Sequence, residues 1–123
     1  MQILADWLMA TLKLVNLTPH PVQIVGLDKK VTILPACPTP VRLHEHAERV
    51  KILDYQGAEI TISAVEYTHA YNLPRELKDT LYVVSQMVAQ AYPERDDLVF
   101  PYDIVRNEDG SIFACRQLGR WIE

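Results

Sequence analysis

The stretch Leu14-Val-Asn-Leu-Thr-Pro-His-Pro-Val-Gln-Ile-Val25 decides how the chain begins to fold. Aliphatic and β-branched residues on its two sides predict strands over residues 12–17 and 21–27. The connection between them brings a carboxamide, a hydroxyl and an imidazole close together, on Asn16, Thr18 and His20. Prolines on both sides of the histidine stiffen this connection, and a loop that is ordered in advance binds a ligand at lower entropic cost. The stretch therefore predicts a ligand-binding loop between two strands.

Alternation of apolar and polar residues predicts more strands over the first seventy residues, at 31–34, 41–46, 49–53 and 59–67. Prolines at positions 35, 38 and 40 predict an irregular loop before the second of these strands. The dipeptide Gln56-Gly57 predicts a tight turn before the last one.

The pattern changes at residues 80–84, an unbroken apolar run that is typical of a strand buried on both faces. Ser85 is a favoured N-cap, and the helix formers of residues 86–92 end at Pro93. A further strand and a hairpin that turns at Asp109-Gly110 complete the chain. The sequence thus predicts an α+β fold, with a mixed, mostly antiparallel β-sheet and one main α-helix packed on it.

Length and composition limit the classes of function. A chain of 123 residues with 49% apolar content predicts one domain over residues 1–123, with residues 1–8 as an N-terminal appendage if Met9 is the native start. A net charge of −4, with the basic residues scattered singly, argues against binding of bulk nucleic acid. The apolar N-terminus resembles neither a signal peptide nor a spanning helix. The spacing of Cys37 and Cys115 fits no zinc site, so we expect reduced thiols and a cytoplasmic location.

Other polar residues extend the predicted site. Ser85 precedes the helix, where a hydroxyl and free backbone amides favour an anion. Arg95 and Arg106 are candidate phosphate ligands, and Asp96 or its neighbour Asp97 is a candidate ligand for ribose hydroxyls. Each residue also has a plainly structural interpretation: a stiff turn, an N-cap, an Arg–Asp pair in a solvated loop, and a surface charge on a strand.

A metal site is not predicted. His44 and His46 lie on one face of a strand, but no third ligand has a fitting spacing, and protein metal sites need at least three.

The chain resembles a group of small bacterial and phage proteins of no established activity, which open with Asn-Leu-Thr-Pro-His-x-Val and share a characteristic C-terminal half. The matching stretches are Asn16-Leu-Thr-Pro-His-Pro-Val22, Leu81-Tyr-Val-Val-Ser-Gln-Met-Val-Ala89, Glu94-Arg-Asp-Asp-Leu-Val-Phe-Pro101 and Val105-Arg-Asn-Glu-Asp-Gly-Ser-Ile-Phe-Ala-Cys-Arg-Gln-Leu118. In size and acidity it is loosely similar to phage proteins that sequester nucleotide immune signals, such as cyclic ADP-ribose derivatives or cyclic dinucleotides. That likeness implies an anti-defence protein in the host cytoplasm and assigns no residue.

The leading hypothesis is a pocket that binds a small phosphorylated nucleotide-like ligand without turnover. Phosphate contacts are expected from Ser85, Arg95 and Arg106, and contacts to ribose or base from Asn16, Thr18, His20 and Asp96. The first alternative is an enzyme acting on a nucleotide or ADP-ribose-type substrate, with His20 as acid or base and Asp96 or Asp97 orienting it. The second alternative is a protein-interaction module whose exposed strands dock a host protein or another copy. No cofactor is expected, and a homo-oligomer is expected because small pockets are often completed by a neighbouring subunit.

Overall fold

The computed structural model describes residues 12–122 of the chain. The predicted appendage at residues 1–8 and the choice between Met1 and Met9 as the start lie outside the described residues. Of the described residues, 55% are in strands and 5% are helical. The fold is therefore mostly β.

Eight strands and one short helix follow one another along the described residues. The order is β1 Lys13–Asn16, β2 Val22–Val25, β3 Val31–Leu34, β4 Arg42–Tyr55, β5 Ala58–Tyr71, β6 Thr80–Val83, α1 Gln86–Ala91, β7 Leu98–Arg106 and β8 Ile112–Gly119.

Six of the strands form one mixed sheet in the order β1-β6-β7-β8-β2-β3. Three of its five neighbouring pairs are parallel, namely β1–β6, β6–β7 and β8–β2. The predicted mixed sheet is confirmed, but within this sheet antiparallel pairs are not the majority. The sheet curls into a nearly closed barrel. The loops after its two end strands meet, because the amide of Cys37 donates to the carbonyl of Thr18 and that of Val41 to Leu17.

The core lies on both faces of β6, as the unbroken apolar run predicts. Tyr82 and Val84 face one hydrophobic cluster, together with Phe100 of β7. Val83 faces the other cluster, together with Cys115 of β8. All of these side chains are buried, so β6 holds the two halves of the core together.

The prediction of one main α-helix packed on the sheet is wrong. The helix α1 has only six residues, although Ser85 is its N-cap as predicted and accepts a hydrogen bond from the amide of Val88. The helix ends at Ala91, shortly before Pro93, which cannot continue a helix. With so short a helix, burial of the core depends on the curled sheet itself, and the α+β assignment is replaced by a mostly β architecture.

The remaining strands, β4 and β5, form a separate two-stranded antiparallel sheet. The sequence predicts two shorter strands at 41–46 and 49–53, but nothing between them breaks a strand, and β4 runs continuously for 14 residues. A bulge between Arg49 and Lys51 absorbs the change in the alternation. The predicted turn at Gln56-Gly57 is confirmed, and both of its residues have the positive φ that this turn needs. We call this sheet, residues 42–71, the ribbon.

Candidate functional site

The polar loop after β1 is organised by the side chain of Asn16, which is buried. Its Nδ2 donates to the carbonyl of His20 at 2.8 Å and to that of Pro35 at 3.0 Å. Its Oδ1 accepts from both the amide and the hydroxyl of Thr18. The carboxamide therefore uses donors and acceptors together to fix the loop and to join it to the chain that leaves β3. This role is structural, and Asn16 does not line the cavity described below.

Parallel pairing brings the loop to the start of the helix. Asn16, the last residue of β1, lies beside Val83, the last residue of β6. The two strands therefore end at the same edge of the sheet, and Ser85 emerges next to the loop. The sequence alone does not predict that these two strands are parallel neighbours, and the structure supplies this pairing.

A cavity of about 680 Å³ lies at this edge of the sheet. Its walls come from the loop, from the strand-to-helix junction and from β2, β3, β7 and β8, and it is lined by Thr18, Pro19, His20, Pro21, Val22, Gln23, Ile33, Val84, Ser85, Pro101, Ile104, Ile112, Phe113, Ala114 and Cys115. This volume falls within the range of pockets that hold small organic ligands. The structure thus brings together Thr18, His20 and Ser85 of the predicted site.

The lining of the cavity is largely apolar. Its polar side chains are a hydroxyl on Thr18, an imidazole on His20, a carboxamide on Gln23 and a hydroxyl on Ser85. The Ser85 oxygen accepts a hydrogen bond from the helix, which leaves its proton available to a ligand. No lysine, arginine or carboxylate belongs to the lining formed by residues 12–122.

Arg95 lies away from the cavity and binds Asp97 instead. Its Nε and Nη2 donate to the two carboxylate oxygens at 2.8 and 2.9 Å, and Nη2 also donates to the carbonyl of Pro74. The side chain of Asp97 is 7% exposed, so the pair is largely removed from water. The hydrogen bond to Asp97 raises the pKa of Arg95, in opposition to the smaller effect of burial. This pair fixes the loop before β7 to the segment that precedes β6.

Asp96 and Arg106 are also outside the lining. The carbonyl of Asp96 accepts from Arg120, while Arg106 donates to the carbonyl of Gly110 and so holds the last hairpin. Carboxylate oxygens of Glu76, Asp96 and Asp97 lie within 4.8 Å of one another, but Asp97 is already neutralised by Arg95. The two arginines that were predicted to bind phosphate, Arg95 and Arg106, therefore do not lie at the loop.

The two histidines considered for a metal have different neighbours in the structure. The ring of His44 stacks on His69 across the ribbon, with centroids 5.1 Å apart, and its Nδ1 lies 2.7 Å from the hydroxyl of Tyr71. His46 lies opposite Glu66 in the ribbon.

Several lining residues were not predicted from the sequence, above all Cys115, Phe113 and Gln23. Cys115 is 2% exposed, and burial raises the pKa of its thiol, so this wall of the cavity is neutral. A Gln inside a strand and a Cys inside a hairpin carry no local signal for a pocket. Only the pairing of β2 with β8, which joins residues about ninety positions apart, places them together.

No family model, curated protein or solved structure matches the chain. The resemblance to a bacterial and phage group therefore stays a prediction. Among the described residues, no helix has the length and apolar character that crossing a membrane requires.

Proposed function

We propose that the protein binds, without turnover, a small nucleotide-like molecule whose ring system enters the cavity beside His20. The observation that supports this proposal is the cavity itself, because an apolar space of about 680 Å³ with a few convergent polar groups is typical of a small-molecule site. A heteroaromatic base has an apolar face and a polar edge, and so it matches this lining.

The polar edge of the ligand meets the side of the cavity formed by Thr18, His20 and Ser85. Ser85 offers a hydroxyl proton, whereas Thr18 offers only its hydroxyl oxygen as an acceptor, because its proton is donated within the loop. His20 offers a donor and an acceptor in its neutral form. Because Asn16 fixes this loop through four hydrogen bonds under 3.1 Å, little order has to be gained on binding. The phosphate of the ligand stays in solvent beside His20, since no cationic side chain of the described lining reaches inward.

Binding without turnover is supported by the surroundings of His20. An acid–base histidine is usually oriented by a carboxylate, as in catalytic triads. The carboxylate of Asp97 is engaged by Arg95, and neither Asp96 nor Asp97 lines the cavity. The enzyme hypothesis thus lacks its orienting partner among the described residues.

The test is calorimetric titration with three sets of probes: nucleosides, their 5′-monophosphates, and ribose 5-phosphate. We expect a nucleoside and its monophosphate to bind with similar affinity, and ribose 5-phosphate to give no heat. His20→Ala should weaken binding by roughly 10- to 100-fold, the loss expected for one or two hydrogen bonds.

His69→Ala is the matched control, because it removes an exposed histidine from the ribbon that does not line the cavity, and it should leave affinity unchanged. Chromatography of the titrated ligand should recover it unaltered. Tight binding of ribose 5-phosphate alone, or equal affinity in His20→Ala, would contradict the proposal, and a chemically changed ligand would establish an enzyme instead.

A further inference from the structure

The ribbon extends away from the rest of the protein. From Glu45 to His69 every residue except Leu53 is exposed. Its base is anchored, because Leu43 and Ala70 pack against the core and the amide of Ala70 donates to the hydroxyl of Tyr92 at 2.9 Å. Beyond this base the two strands contact chiefly each other.

Such a ribbon would be stabilised by further strands at its edge. An isolated two-stranded hairpin is at best marginally stable in water, and strands of 14 residues reach about 46 Å at roughly 3.3 Å per residue. The ribbon also exposes large apolar side chains, namely Val50, Ile52, Tyr55, Ile60, Ile62, Val65 and Tyr67. In addition, the outer edge of β4 is unpaired within the described residues, which leaves a row of backbone donors and acceptors open.

The charges on β4 are arranged so that its open edge can pair with another copy of β4. When two identical strands pair antiparallel about a two-fold axis, one residue lies opposite itself and its neighbours pair symmetrically. If Glu48 or Arg49 were the residue that lies opposite itself, two like charges would face each other. A centre at Ala47 sets Glu45 opposite Arg49, and His46 opposite Glu48, each of them twice.

We propose that the chain forms a two-fold dimer in which the β4 edges of two ribbons pair antiparallel about Ala47, giving a continuous four-stranded sheet. The free charges support this arrangement, because the ion pairs within residues 12–122 involve none of the charged side chains of the ribbon. Opposite charges facing each other across neighbouring strands stabilise a sheet, and like charges destabilise it.

The same register aligns residues 42–52 of the two β4 strands and brings each ribbon tip next to the base of the other ribbon. The pairing satisfies the open row of backbone donors and acceptors on β4. It also replaces two marginally stable two-stranded sheets by one sheet of four strands.

The test uses charge reversal in the full chain and analytical ultracentrifugation. The unaltered protein should sediment as a dimer. Glu45→Arg and Arg49→Glu should each weaken dimerisation by roughly 30-fold, since two reciprocal contacts change from attraction to repulsion. The double variant should restore the dimer. An equimolar mixture of the two single variants should form a heterodimer, in which both reversed pairs match again.

Circular dichroism of the single variants checks that the strands persist. Arg42→Glu serves as a control that should keep the dimer, because Arg42 lies at the base of β4 and opposite an uncharged residue in this register. The proposal is overturned if the unaltered protein is monomeric at the highest soluble concentration. It is equally overturned if the single reversals dimerise as tightly as the unaltered chain, or if the mixed variants stay apart.

Discussion

Replacement of Asn16 by aspartate tests how the pocket loop is held, because it keeps the size of the side chain and both acceptor contacts with Thr18. The two donor contacts, at 2.8 Å to the carbonyl of His20 and 3.0 Å to that of Pro35, become contacts between a carboxylate and carbonyl oxygens. The carbonyl of His20 keeps the hydroxyl of Thr18 as a donor, so its lost hydrogen bond costs about 1 kcal/mol, and the carbonyl of Pro35, which loses the donor on Asn16, costs about 1–3 kcal/mol. We expect Asn16→Asp to lower the free energy of unfolding by about 2–4 kcal/mol.

Urea denaturation followed by fluorescence measures this loss. For a urea dependence of about 1–3 kcal/mol per M, the midpoint should fall by roughly 0.7–4 M with an unchanged slope. Asn107→Asp is the control, since Asn107 is exposed and its amide only donates to the hydroxyl of Ser111. An exposed change of this kind should cost less than about 1 kcal/mol. If the two variants unfolded at the same urea concentration, the role given to Asn16 would be refuted.

Two further predictions concern other loops of the fold. Arg95→Leu leaves the largely buried carboxylate of Asp97 without its cation and should destabilise the protein by about 3–5 kcal/mol. Glu76→Gln is the control and should change stability little, because Glu76 is an exposed partner 3.6 Å from Arg95. Thermal unfolding of the two variants measures both effects. Hydrogen bonds from Ser111 lower the pKa of Asp109, so this carboxylate stabilises the last hairpin above its unfolded-state pKa, and the contribution is lost as pH falls through the lower folded-state pKa. Ser111→Ala should move the pKa of Asp109 back up towards 3.8 in an NMR titration, and an unmoved pKa would show that the hydroxyl is not responsible.

Local sequence patterns predict the elements of this fold well. The buried strand before Ser85 can be predicted because its apolar run leaves no polar face, and the turn at Gln56-Gly57 because few residues adopt positive φ easily. The importance of the helix is overestimated, because six helix-compatible residues after a good N-cap look like the start of a longer helix. The neighbours of each strand are decided by distant contacts, and no local pattern encodes the pairing of Ile24 with Cys115.

The candidate site could be predicted only in part. Thr18, His20 and Ser85 are recognisable as polar residues that directly follow strands, but their meeting at one edge depends on the parallel pairing of β1 with β6, which no local pattern encodes. Arg95 could not be placed, because a guanidinium two residues from a carboxylate either reaches for a ligand or closes on its neighbour. In the structure Arg95 binds Asp97, because this largely buried carboxylate needs a cation beside it.

The most direct test of the account is to identify what the cavity carries in cells. Protein purified from cells that make nucleotide signals is heated, and the released small molecules are analysed by mass spectrometry, with His20→Ala and His69→Ala treated in parallel. We expect an intact molecule with a heteroaromatic ring, released by the unaltered protein and by His69→Ala and strongly reduced in His20→Ala. Equal release from all three proteins, or no release from any of them, would contradict a ligand site beside His20.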